Sequence, residues 1–128
     1  MRNALGFAGL VATILLSGAS ALAGPWEDGM VAYNSGDYVP ALKLIRPVAQ
    51  AGNAKAQNVM GVMYRKGEGV VRSSAKAFMW FSLAAKKGDT QAKASLQEMS
   101  KEMTAAEMTQ AREMMAACEA SDYRNCEY

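Results

Sequence analysis

The sequence predicts an all-α protein, an array of about three helix pairs stacked side by side. The first observation behind this is an internal repeat. Gly52-Asn53 returns 36 residues later as Gly88-Asp89, and at the same offset Ala41, Ile45, Ala49, Ala56, Met60 and Met63 meet Ala77, Phe81, Ala85, Ala92, Leu96 and Met99. A fixed period of this size marks helix-pair units that bury their apolar faces on their neighbours. The second is apolar spacing of three and four residues between glycines, the period of one helix face. The third is composition: 51% hydrophobic, 20% charged, ten methionines and only three prolines in 128 residues. That is enough apolar matter for one small core and too little proline to break many helices.

The elements follow in order. Trp26, Met30 and Tyr33 recur at helical spacing, which predicts a first helix over Pro25 to Asn34, broken at Gly36. Asp37 is expected to cap a second helix to about Ala51, with Ala41, Leu42, Ile45 and Ala49 inward and a bend at Pro47. Asn53 caps a third, with Ala56, Val59, Met60, Met63 and Tyr64 inward. Gly67 and Gly69 force a turn. Ser73 or Ser74 caps a fourth helix to about Lys87, with Ala77, Trp80, Phe81, Ala84 and Ala85 inward and Lys86 and Lys87 set against its C-terminal dipole. Asp89 caps a fifth, to about Lys101. Thr104 and Glu107 form a capping box for a sixth, where Met103 can staple onto Met108, with Met108, Ala111, Met115 and Cys118 inward.

The two ends read differently from the middle. Arg2, the uncharged run Ala4 to Leu16 and the small-x-small site Ala21-Leu22-Ala23 have the form of a secretory signal peptide cleaved before Gly24. The run is too short to span a membrane, and no cysteine near the site invites a lipid anchor. The expectation is therefore a periplasmic or secreted chain without a membrane anchor after cleavage. Its parts are a signal peptide (1–23), a helical repeat domain (24–117) and a C-terminal tail (118–128). Cys118 and Cys126 are the only cysteines, and in an oxidising compartment they are expected to pair and fold the tail back. A buried free Cys118 and an intermolecular bridge are the alternatives.

The central stretch resembles a known family. Ala56 to Val70 reads A-Q-N-V-M-G-V-M-Y-R-K-G-E-G-V, and Ala77 to Gly88 reads A-F-M-W-F-S-L-A-A-K-K-G. Both resemble the Sel-one-like repeat, a relative of the tetratricopeptide repeat, through Ala56, Gly61, Tyr64, Gly67, Gly69, Ala77, Trp80, Ala84, Ala85 and Gly88. Met60 replaces the usual Leu and Ser73 the usual Asp, a volume-conserving swap and an exchange of one good cap for another. The resemblance implies a right-handed α/α superhelical solenoid that binds a protein or peptide. It implies packing roles for the motif residues, with no catalytic residue, metal or cofactor.

Other chemistry is thin. The absence of histidine removes His-based catalysis and most zinc sites, and a net charge of +2 gives no basic footprint for nucleic acid. Ser73-Ser74-Ala75-Lys76 has the S-x-x-K spacing of penicillin-recognising hydrolases, with Ser73 as nucleophile and Lys76 beside it. This is the alternative to a scaffold, and the S-D-N and K-T-G partner motifs are missing. Met60 with Met63, Met99 with Met103, and Met114 with Met115 offer thioethers suited to Cu(I), though most sit at core spacing. Met79 and Met114 fall off the inner faces, where they are available for adaptable partner contacts. The outward face of the third helix carries Lys55, Asn58, Val62 and Arg65. One period on, the fifth helix carries Gln91, Ala94, Glu98 and Lys101. These eight positions predict two parallel rows along one groove, suited to an extended peptide with acidic groups near Arg65.

Overall fold

A computed structural model describes residues 23–126 of the protein. The predicted signal peptide, except Ala23, lies outside the described residues, as do the last two residues of the tail. Six helices follow in order: α1 (Pro25–Asn34), α2 (Tyr38–Gln50), α3 (Ala54–Lys66), α4 (Ser74–Lys86), α5 (Thr90–Glu102) and α6 (Ala105–Ala120). The described residues contain no strand. None of these helices is long and apolar enough to cross a membrane.

Most of the expected caps form. Asn53, Ser73, Asp89 and Thr104 each accept from the backbone N–H three residues on, and Glu107 closes the box on the Thr104 N–H at 2.9 Å. Asp37 is the exception: it occupies the N-cap position of α2 but its side chain makes no cap bond. Pro40 stands in the first turn of that helix, where backbone N–H groups lack helical partners anyway. The helix continues through Pro47 to Gln50.

Packing runs α1 on α2, α2 on α3 and α3 on α4. The third pair departs from the simple array. α5 and α6 scarcely touch each other, and both lie against α4. The reason is their link: Met103 and Thr104 are both extended, so the chain moves on where the other pairs reverse. Surrounded by α3, α5 and α6, α4 is buried on nearly every side, and Met79, Trp80, Phe81 and Leu83 lose essentially all contact with solvent. This corrects the reading of Met79 and Met114 as free for partners: Met79 is 0% and Met114 9% exposed. The inner face of α6 accordingly centres on Ala111, Met114 and Cys118, with Met108 and Met115 only half-buried. Val59 and Ala85 are likewise half-buried.

The turn after α3 locks the central pair onto the first. Gly69 has φ +71°, and a Cβ there would lie 2.9 Å from the Tyr38 carbonyl oxygen, so both backbone angle and space call for glycine. Beside it, the Glu68 carboxylate lies close to the Tyr33 hydroxyl. Burial first, and that carboxylate second, push the Tyr33 phenol well above its usual range. The rings of Tyr33 and Tyr38 meet at 5.4 Å between centroids.

The lysines that end α4 act at a distance. The Lys87 ammonium donates to the Gly52 carbonyl, just past the end of α2, and lies 5.0 Å from the Tyr123 ring centroid. Lys86 pairs with Glu119 of α6 at 2.6 Å. Both stand at the C-terminal end of α4, as expected for its dipole, and add ties to neighbouring pairs. Cys118 and Cys126 are joined, with Cα atoms 4.4 Å apart, and Cys118 still lies on α6 because that helix runs to Ala120.

Candidate binding groove

The first helices of successive pairs, α3 and α5, lie side by side along part of their length. Of the eight predicted groove positions, four make contact across this seam. Asn58 Nδ2 donates to Gln91 Oε1 at 3.4 Å, and Arg65 pairs with Glu98 at 3.2 Å. Both partners are 33 residues apart, not 36. Equivalent positions in two repeats point the same way, so a residue on the leading edge of one helix meets the residue one turn earlier on the trailing edge of the next. The same separation recurs between α4 and α6 in Lys86 and Glu119.

Two details revise the predicted groove. Asn58 is only 9% exposed, so it belongs to the seam and not to open surface. Arg65 has Glu98 for a counter-ion, so an acidic peptide group would have to compete for it. Val62 is half-buried, while Lys55, Ala94 and Lys101 are exposed.

A cavity of about 390 Å³ opens where α1, α3 and α5 meet, and Lys55, Asn58 and Gln91 line it. Its apolar wall is Trp26, Met30 and Val59, and the start of α5, from Asp89 to Gln91, closes one side. The part played by Trp26 and Met30 escaped the sequence. Their spacing marks a packed face, and periodicity does not separate the wall of a cavity from the wall of a core. A smaller cavity of about 120 Å³ lies further along, against Arg65, Arg72, Ser74 and Glu102.

The side chains of the S-x-x-K motif are engaged in packing. Ser73 Oγ accepts the Lys76 N–H as the cap of α4, and the Lys76 ammonium sits 5.4 Å from the Tyr64 ring centroid. Met60, Met63 and Met99 are core residues. Every repeat residue singled out in the sequence lies in α3, α4 or the turns that bound them. Ala56, Gly61, Tyr64, Ala77, Trp80 and Ala84 are buried, and Gly67, Gly69 and Gly88 take left-handed turn conformations.

No curated protein matches the chain by sequence. Residues 54–89, from the start of α3 to the cap of α5, match the Sel1 repeat family. The match falls on the unit whose glycines, alanines and aromatics set the spacing of the helices. The central helix pair, α3 and α4, carries a Sel1 repeat.

Proposed function

We propose that the protein is an exported, non-enzymatic scaffold that binds a protein or peptide along the face formed by α1, α3 and α5. Sel1 repeats generally mediate protein–protein contact, and the family is generally non-enzymatic. The observation that carries the reading for this chain is the cavity at the α1, α3 and α5 junction, continuous with the polar seam between α3 and α5. Export is supported by the leader-like first 23 residues. α1 opens at Pro25, one residue past the expected cleavage point, and the Gly24 N–H donates to Glu27 Oε2 at 3.0 Å.

The test is capture of partners from an envelope extract by the chain beginning at Gly24, followed by affinity measurement with the partner identified. Reversing the seam with Arg65→Glu places two carboxylates together and should weaken that affinity at least tenfold while the fold persists. A partner whose affinity ignores both Arg65→Glu and Glu98→Arg overturns the assignment of this face.

A further inference from the structure

We propose that the cavity at the α1, α3 and α5 junction receives one bulky apolar side chain of an extended peptide together with that residue's own main-chain amide. The inference rests on the groove reading and adds the chemistry of what enters. Three features of the cavity point the same way. Its wall of Trp26, Met30 and Val59 offers an indole, a thioether and a branched aliphatic group, which suit an apolar side chain of adaptable shape. Asn58, more than nine-tenths buried at its edge, has an Oδ1 with no hydrogen-bond partner. A buried carbonyl oxygen left unpaired is costly, and an N–H donor entering from the ligand removes that cost. Only the exposed Gln91 side chain holds the other end of this amide, at 3.4 Å, so it is free to move aside.

The opposite side of the cavity supplies donors. α5 begins there, and the Asp89 carboxylate takes the Ala92 N–H, leaving the N–H groups of Thr90 and Gln91 without helical partners. An acceptor in Asn58 and donors at the α5 terminus together match one peptide group, N–H on one side and C=O on the other. The charges decide against a free carboxylate as the preferred ligand. Lys55 and Asp89 line the same cavity with opposite signs, and Asp89 already offsets the positive end of the α5 dipole. A neutral main-chain segment fits this balance, whereas a chain terminus brings an unmatched negative charge.

The probe is the blocked peptide acetyl-Gly-Ser-Leu-Ser-Gly-amide, titrated into the chain beginning at Gly24 and followed by nuclear magnetic resonance. The two tryptophans give two indole N–H signals, and Trp26→Phe identifies which belongs to the cavity. Saturable shifts of the Trp26 indole and the Thr90 amide are expected, with affinity at least tenfold weaker when Ala replaces Leu in the peptide. Asn58→Ala should weaken binding at least fivefold. Thr90→Pro should do the same, because proline is well tolerated at the first position of a helix and removes only the N–H, so the test holds even where Asn58→Ala disturbs the fold. The same peptide with a free C-terminus should bind no tighter. Absence of a saturable shift with the leucine peptide overturns the proposal, as does wild-type affinity in both variants or a requirement for the free carboxylate. A partner lost on Arg65→Glu but kept in Asn58→Ala and Thr90→Pro would leave the groove in place and remove this pocket from it.

Discussion

Gly61 sits mid-helix, where alanine has the better helix propensity by about 1 kcal/mol. Its reason for being glycine is Phe81: a Cβ there would lie 2.6 Å from two ring carbons. Gly61→Ala should therefore lower stability by about 1–3 kcal/mol, because the strain of overpacking outweighs the propensity gain. Chemical denaturation decides this, and a more stable variant would mean that α3 and α4 have room to separate. Trp80 and Phe81 form the other side of that contact and are fully buried. Truncating Trp80→Ala should cost about 3–5 kcal/mol. Against a total of roughly 5–15 kcal/mol for a small domain, the variant should be near unfolding at ordinary temperature. A melting curve unchanged by this substitution would be incompatible with the burial of Trp80.

Two links between elements have measurable consequences. The turn after α3 reaches the first pair through Glu68 and Tyr33, whose phenol ionises only well above its usual range because of burial and the carboxylate beside it. In the unfolded chain that phenol titrates near its ordinary value, about 10. Above that pH the unfolded state releases a proton that the folded state keeps. Stability is then fully present below about pH 10 and falls as pH rises further. Tyr33→Phe should flatten this alkaline decline, as read by urea midpoints across pH 8–11. The second link is the tail. Cys118 and Cys126 close a short loop that holds Tyr123 under the Lys87 ammonium. Chain entropy for so small a loop is worth about 2.5 kcal/mol, so Cys126→Ser should lower stability by about that amount. Thiol titration of the denatured, unreduced protein should find no free cysteine. Two free thiols would show the pair open in the protein as isolated.

At the scale of the molecule, the second and third helix pairs share one hub. α4 touches α3, α5 and α6, so loss of its packing should unfold all three together instead of peeling one pair away. Coincident thermal transitions by far-ultraviolet dichroism and tryptophan fluorescence would show this, and two separated transitions would contradict it. Export is also a property of the whole chain. The leader-like segment ends one residue before the Gly24 N–H that Glu27 accepts, so processing there leaves α1 whole. N-terminal sequencing of the exported protein should begin at Gly24, and an intact Met1 on soluble protein would refute the export reading.

The sequence by itself determined the six helices, most of their caps and much of their inner faces, because these depend on local chemistry. Glycine between periodic runs, Ser, Thr, Asn or Asp at a helix start, and apolar residues at three and four all act within one or two turns. The 36-residue period carried that local information into a stacked array. Only the tertiary structure decided what depends on how helices cross. Met79 and Met114 lie off the faces that periodicity marks, yet they are buried because α4 is surrounded and α6 swings onto it. The rows of Asn58 and Gln91, and of Arg65 and Glu98, were legible as rows, but their pairing at 33 residues follows from a one-turn stagger that no single helix encodes. The cavity with Trp26, Met30 and Asn58 belongs to three helices at once. Its shape is set by the angles between them, and those are fixed by packing distant parts of the chain together.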